Sequence, residues 1–168
     1  MLRDNSEIQW VIVGDGRMRE WAQAEVNRRG LENNFHFLGR YPLDTMPYFF
    51  EAADAMLVTL KKEPIFALTI PPKVQSYLAC GRPVIAAMDG EGANIINKAR
   101  AGGTCPSGEP ATLGSAVLRM YQIPVAERER MGANGREYYM QNFDREMLLD
   151  RLCDWMGDLA AGATRRSS

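Results

Sequence analysis

Short apolar segments alternate with longer helix-forming segments along this chain, and a glycine or proline stands at most of the boundaries. The clearest unit begins at residues 8–13, a β-branched run that stops at a Gly-Asp-Gly turn. Residues 17–29 follow, rich in helix formers and ended by Gly30. A strand that enters a tight turn and continues into a helix is the repeating unit of α/β folds.

The same unit recurs to the end of the chain. Further strands are predicted at residues 35–38, 55–60, 83–87 and 102–105, and helices at 42–53, 72–80, 91–101, 110–122, 126–142 and 144–159. Residues 61–71 have no regular pattern, and Pro47 is expected to limit the second helix to short segments. The alternation predicts a Rossmann-like α/β fold, with a parallel sheet and helices on both faces. We expect one domain over residues 1–161 and a flexible tail over 162–168.

Composition excludes several classes of protein. The 168 residues suit one globular domain, and a formal charge of −1 gives no general attraction to nucleic acid or to an anionic membrane. Cys80, Cys105 and Cys153 lack the spacing of a zinc site or a disulfide framework, which favours reduced thiols. Residues 1–16 lack a signal-peptide core, and no apolar run reaches the ~18 residues that span a bilayer. We expect a cytoplasmic location and leave open peripheral attachment to the inner face of the membrane.

The candidate site lies in the loops that follow the strands, because open parallel sheets bind ligands at the carboxyl ends of their strands. Gly14 and Gly16 either form a plain turn or let a phosphate approach the backbone at a helix start. Gly90, Glu91 and Gly92 have the same two interpretations, and we favour ligand contact because this loop lies beside the others. Neither segment completes a dinucleotide fingerprint or a phosphate-binding P-loop.

No catalytic residue and no metal cluster can be identified from the sequence. The lone His36 falls within a predicted strand, which favours a packed or edge histidine over a catalytic base. Four carboxylates near strand ends lack a sequence-adjacent partner that would identify an acid–base pair: Asp15, Asp54, Asp89 and Glu91. Most of them are expected to be solvated or to cap helices.

Five motifs in a fixed order carry a resemblance to a known family. They read WVIVGDGRMRE, NNFHFLGRYP, MPYFFEAADAMLV, KVQSYLACGRPVIAA and DGEGANIINKARAGGTCPSGEP, and together they cover nearly the whole chain. This order resembles the C-terminal, donor-binding domain of retaining GT-B glycosyltransferases of family 4, also called group 1. The segment LTIPPKVQSYLACGRPVIA is similar to the subgroup that transfers amino-sugars or related sugars in bacterial O-antigen, capsule and exopolysaccharide assembly.

The resemblance implies roles for particular residues. The nucleotide base would lie against Leu38, Gly39 and Arg40. A helix beginning at Pro72 would direct its N–H groups at the donor diphosphate, with a charge-assisted contact from Lys73. Gly14 and Gly16 would line the cleft toward a second domain. The implied substrate is a nucleotide sugar, with uridine diphosphate favoured, and no further cofactor is expected.

Two departures from the family pattern bear on activity. The family commonly carries two glutamates where this chain has Leu68 and Ser76, and Ser76 is either a ribose contact or a helix-surface serine. The family's domain also normally opens with one more strand and helix, which supply an arginine and a lysine to the diphosphate. We therefore expect a fragment, a truncated reading frame or a subunit completed by another polypeptide, with weak donor binding and no turnover alone.

The final predicted helix carries an apolar stripe at helical spacing, formed by Met147, Leu148, Leu152, Trp155, Met156 and Leu159. We expect the stripe to pack on the chain's own sheet, and an exposed stripe would predict a homo-oligomer through this helix.

Other functions stay open: a non-catalytic nucleotide-sugar sensor or accessory subunit, a sugar epimerase, or a dinucleotide-dependent oxidoreductase. The sequence identifies neither the sugar, the acceptor nor the linkage.

Overall fold

A computed structural model describes residues 5–165, with side chains described for residues 5–160. The strands of this part are β1 (Trp10–Val13), β2 (Phe35–Gly39), β3 (Met56–Thr59), β4 (Val84–Ala87) and β5 (Gly102–Cys105). Its α-helices are α1 (Arg19–Arg29), α2 (Met46–Ala52), α3 (Pro64–Ala67), α4 (Pro72–Ala79), α5 (Glu91–Lys98), α6 (Pro110–Gln122), α7 (Val125–Asn142) and α8 (Arg145–Arg165). Single 3-10 turns occupy Glu32–Asn34 and Leu43–Thr45.

The predicted alternation of strands and helices is confirmed, with most boundaries within two residues of those expected. The stretch predicted as a helix limited to short segments is a 3-10 turn, Leu43–Thr45, followed by the seven-residue α2, as expected. Pro47 lies in the first turn of α2, where its missing N–H costs no hydrogen bond. One local difference has a simple cause. Helix α3 forms within the segment predicted to be irregular, because Pro64 starts a single helical turn there.

Strand β4 is the centre of the fold. It pairs in parallel with β3 on one side and with β5 on the other, and all four of its residues are buried. Val84 and Ala86 pack into a core with α4 and α5, whereas Ile85 and Ala87 face a second core with α6. Helices therefore cover both faces of this sheet, as predicted.

The described strands form two hydrogen-bonded sheets rather than one. β1 and β2 make a separate parallel pair, and β1 has no strand pairing with β3. Trp10 of β1 and Leu57 of β3 nevertheless pack against the same core beneath α6. β1 pairs only with β2 and β3 only with β4 among the described strands, so β1 and β3 each have one edge without a strand partner. Val11 and Ile12 of β1 are correspondingly exposed, by 56% and 38%.

Helix α8 does not pack its apolar stripe on the sheet, so that expectation is wrong. Leu152, Trp155, Met156 and Leu159 are all about half exposed or more, from 48% to 74%. It is α7 that contacts α4: a β-carbon on Gly132 would meet the backbone of Gly81. The faces of α4 and β5 near α7 are thus already covered. Residues 162–165 of the predicted tail continue α8, and residues 166–168 lie outside the described part.

Two further observations concern the described residues. The three cysteines are free thiols: Cys105 is buried, Cys80 half-buried and Cys153 exposed. None of the described helices combines the length and the apolar character that crossing a membrane requires.

Candidate functional site

The loops after β1 and β2 are joined at their backbones. The Gly14 N–H donates a hydrogen bond of 2.6 Å to the Gly39 carbonyl, and both glycines have positive φ, 132° and 78°. Arg19 lies beside this contact: it donates to the Phe37 carbonyl at 3.5 Å and is 3.8 Å from the Asp15 carboxylate. The structure thus brings Gly14 beside the predicted base-contacting segment.

In that segment the side chains of Leu38 and Arg40 are exposed, whereas Gly39 is buried. A β-carbon on Gly39 would be 3.3 Å from the Arg19 guanidinium, so a larger residue would push against it. Gly16 has open space around its α-carbon and accepts a hydrogen bond from the Arg19 N–H. The backbone of this segment can therefore be approached from solvent on either side of Gly39.

The loop after β4 is packed tightly against the segment that leads into α4. A β-carbon on Gly90 would be 2.0 Å from the Ala67 carbonyl oxygen, and one on Gly92 would be 2.7 Å from the Met88 sulfur. Pro71, directly before α4, is 3.2 Å from that same point on Gly92. The structure therefore brings Gly90 and Gly92 together with the segment that starts α4.

Neither α4 nor α5 has a side chain that caps its first turn. Pro71 and Gly90 are the residues at the two N-caps, and neither makes a side-chain capping hydrogen bond. In α4, Pro72 has no N–H and the Val74 N–H donates to the Pro71 carbonyl at 2.9 Å, so the Lys73 N–H is the first-turn donor left for water or an anion. The helix dipole favours negative charge at both helix starts. Pro72 starts α4, and Lys73 follows it as an exposed cation without an ion pair among the described residues.

Ser76 and Glu91 are turned toward their own helices. The Ser76 hydroxyl donates to the Pro72 carbonyl at 3.2 Å, which leaves only its oxygen lone pairs for a ligand. The Glu91 carboxylate accepts from Asn94 at 3.3 Å and is 3.9 Å from the Lys98 amine. Leu68 is 80% exposed directly after α3, so neither glutamate position of the family holds an ionisable group.

A contact between Asp89 and Ser107 was not foreseen from the sequence. Ser107 is 2% exposed, its N–H donates to the Asp89 carboxylate at 3.4 Å, and its hydroxyl donates to the other carboxylate oxygen. The contact ties the loop after β5 to the loop after β4. Its only signal in the sequence is a polar residue just beyond each strand, which does not reveal that the two residues meet.

His36 lies on β2, the outer strand of the β1–β2 pair, in line with the expected edge histidine. It is exposed on β2, and its Nε2 atom is 2.7 Å from the Gln9 side-chain oxygen. None of the loops described above contributes a hydrogen bond to it.

The two groups of loops are not connected to each other. Among residues 5–165 no hydrogen bond or ion pair links the Gly14–Gly39 contact to the loops around Gly90. An open, mainly apolar cavity of about 450 Å³ lies between β1, β2, α1 and α6, and its lining includes Trp10, Trp21 and Leu113. The Trp10 indole N–H is buried there without a hydrogen-bond partner in the described part of the chain.

One ionisable group at this cavity is strongly perturbed. Hydrogen bonds from Arg28 and then Arg29 lower the pKa of Glu25 to about 2. Glu25 is therefore ionised at neutral pH, and it acts as an acceptor for the two arginines on its own helix.

The fold and the loops define a Rossmann-like domain of the GT-B glycosyltransferase type. The Anabaena protein HepE, solved with UDP-glucose, superposes with a TM-score of 0.73 at 20% identity, over 89% of this chain and 41% of HepE. Sucrose-phosphate synthase from Thermosynechococcus elongatus superposes with a TM-score of 0.76 at 22% identity, over 92% of this chain and 39% of the synthase.

Sequence comparison defines the family. The family model described as "Glycosyl transferases group 1" matches residues 1–122, and the chain belongs to that family. A probable glycosyltransferase of Pseudomonas aeruginosa, WbjE, is 26% identical over 88% of this chain and 36% of its own length. A 2-deoxystreptamine glucosyltransferase of Streptomyces kanamyceticus is 28% identical over 82% of this chain and 34% of its own length. The chain thus spans about a third of these curated relatives.

Proposed function

We propose that the chain is the donor-binding domain of a retaining glycosyltransferase that uses a UDP-linked hexose or amino-sugar. The acceptor is a glycan or lipid-linked glycan of surface-polysaccharide assembly, in the cytoplasm at the inner face of the membrane. The observation that carries the proposal is the contact of Pro71 with Gly92, which brings the start of α4, followed by the exposed Lys73, beside the loop of Gly90 and Gly92. Fixed dipoles and a cation at that place would stabilise the negative charge of a leaving diphosphate.

The nucleotide half of the donor is assigned to the loop after β2. Leu38 offers an exposed apolar side chain and Arg40 an exposed cation on either side of the Gly39 backbone. The UDP-glucose complex of HepE supports a uridine nucleotide, and the family membership supports glycosyl transfer. The surface-polysaccharide role rests on the resemblance of the segment from Leu68 to Ala86 to that subgroup.

Transfer by this domain needs further polypeptide. An N-terminal acceptor domain, or a partner chain, would close the cleft over the loops, and one more strand would fit between β1 and β3. The unpaired edges of these strands, the apolar cavity and the exposed stripe of α8 support this part of the proposal. We therefore expect the 168-residue chain to bind its donor weakly and to show no turnover alone.

A non-catalytic nucleotide-sugar sensor or accessory subunit is the second candidate. Its support is that Leu68 and Ser76 replace ionisable residues, and that the Ser76 hydroxyl is already bonded to its own helix. The two candidates differ in one outcome. A donor domain supplied with its acceptor domain would transfer sugar, whereas a sensor would bind the nucleotide sugar without consuming it under the same conditions.

Nucleotide titration tests the donor-site proposal. We expect UDP to bind with measurable heat and to shift backbone resonances of Gly39, Lys73 and Gly90, whereas GDP and NAD bind more weakly. Lys73→Ala should weaken UDP binding about tenfold, since charge-assisted contacts to phosphate are worth more than neutral ones. Arg119→Ala is the matched control, because it removes an exposed cation from α6, away from these loops.

Equal affinities for UDP, GDP and NAD would contradict a uridine-selective donor site. An equal loss of UDP affinity in the Lys73 and Arg119 variants would mean that UDP binding depends on the overall charge of the protein rather than on the start of α4.

A further inference from the structure

Lysine is rare in this chain and concentrated at one place. Only four of the twenty basic residues are lysines, and three of the four, Lys61, Lys62 and Lys73, lie in the loop after β3 or at the α4 start to which it leads. The fourth, Lys98, ends α5 and is 3.9 Å from Glu91. A lysine ammonium is a compact charge on a flexible stem, suited to contacting phosphate oxygens as a point charge.

The backbone keeps the lysine pair at the carboxyl edge of the β3–β5 sheet. The Leu60 N–H donates to the Ala87 carbonyl at 3.0 Å, so the chain follows β4 to its end before Lys61 begins. Lys62 then turns toward the loop after β5, since its β-carbon is 3.8 Å from where a β-carbon on Gly108 would be. The pair therefore begins the loop at the same sheet edge where β4 and β5 end.

The other end of this loop returns to the same edge. Ala67 contacts Gly90, and Pro71 contacts Gly92 immediately before Lys73. Lys61 and Lys62 thus begin, and Lys73 follows, a loop whose residues Ala67 and Pro71 contact the glycine-rich turn that precedes α5.

The neighbouring loops carry three acids, and none of them forms an ion pair with these lysines among the described residues. Asp89 accepts two hydrogen bonds from Ser107, Glu91 accepts one from Asn94 and lies 3.9 Å from the Lys98 amine, and Glu109 is exposed directly after Gly108. Lys61, Lys62 and Lys73 are exposed and form no ion pair among the described residues. Glu63 is the one acid between Lys61 and Lys73, so this short stretch carries three cations against one anion.

We propose that Lys61 and Lys62 form, together with Lys73, the cationic subsite that holds the diphosphate of the donor. This inference rests on the proposed donor-binding function and specifies which of the chain's own cations oppose the phosphate charge. Lys61 and Lys62 act from the loop after β3, where Lys62 reaches the loop after β5, and Lys73 acts from the α4 start, so a diphosphate at the glycine turn meets cations from two segments. Electrostatic binding of this kind weakens with added salt.

The test compares UDP with uridine, which has the same base and ribose but no phosphate. The double variant Lys61→Ala/Lys62→Ala should weaken UDP binding about tenfold and leave uridine binding unchanged, because only phosphate oxygens receive charge-assisted hydrogen bonds from the pair. The dependence of UDP affinity on salt concentration should also become shallower in the double variant. Arg119→Ala is the control for loss of an exposed positive charge, and thermal unfolding checks that each variant is folded.

The outcomes separate the two proposals. If wild-type protein binds UDP and the folded double variant binds it equally well, the lysine subsite is wrong while the donor site stands. An equal loss of UDP and uridine binding would also contradict the subsite, since the pair would then act on the base or on the fold. If wild-type protein binds neither UDP nor uridine, both the donor-site proposal and the lysine-subsite proposal are wrong.

Discussion

Gly90 lies against the backbone of Ala67, and a β-carbon at this position would be 2.0 Å from the Ala67 carbonyl oxygen. Its φ of 76° is also a conformation that residues with a side chain rarely adopt. Backbone cannot move aside as readily as the end of a flexible side chain. The packing of the α4 segment on the loop after β4 therefore depends on this glycine.

Gly90→Ala should destabilise the protein, with a backbone-strain cost on the order of 1–3 kcal/mol and the clash in addition. Gly103→Ala is the matched control: Gly103 lies in β5, its φ is not in the left-handed region, and no atom would lie within 4 Å of its β-carbon. Urea unfolding of both variants measures the difference. Equal stability of the two variants would contradict the close contact at Gly90.

At the scale of elements, β3 is paired on one side alone. The Met56 N–H donates to the Pro83 carbonyl and the Leu60 N–H to the Ala87 carbonyl, so alternate residues from Met56 to Leu60 direct their backbone groups toward β4. Leu57 and Thr59 lie between them and direct theirs to the opposite edge. No strand of the described part pairs with that edge.

Amide hydrogen exchange should divide β3 into two sets. We expect the Leu57 and Thr59 amides to exchange much faster than those of Met56 and Val58, because protection requires a hydrogen bond that must open. Nuclear magnetic resonance of the 168-residue protein in heavy water measures each amide. The Gly103 and Cys105 amides serve as the reference for protected amides, because β5 pairs with β4 in the same sheet. Uniform protection along β3 would mean that this edge is covered.

On the scale of the whole molecule, α8 leaves a long apolar surface in solvent. Leu148, Leu149, Leu152, Trp155 and Met156 are each at least 42% exposed. Exposed apolar patches of this kind favour contact with another polypeptide. In solutions of the isolated chain, a second copy is the available partner.

We expect the purified chain to self-associate through α8, with an average mass that rises with protein concentration in sedimentation equilibrium. Replacing Leu152 and Trp155 with glutamine should reduce the association, since it removes apolar area from the centre of the stripe. Asp154→Asn on the polar side of α8 serves as the control. Wild-type protein that stays monomeric throughout the concentration range would contradict contact between copies through this helix.

Several elements were predictable because their signals are local. The bounds of β5 and α6 matched the prediction because glycines begin the strand and Pro110 begins the helix. The glycine turn of the candidate site was predictable for the same reason. The Asp89–Ser107 contact and the close approach of Ala67 to Gly90 were not, because each joins residues about twenty positions apart whose meeting depends on how neighbouring strands end.

By itself, the sequence determined the order of strands and helices, the parallel α/β class and the glycosyltransferase family. Periodicity, boundary residues and motif order are properties of short segments, and they do not depend on where those segments finally pack. Only the tertiary structure decided that the strands form two sheets, that α8 is exposed and that the loop from Lys61 to Lys73 returns to Gly90 and Gly92. Strand edges pair and helix faces become covered only when residues distant in the chain meet. No local sequence pattern shows which distant residues meet.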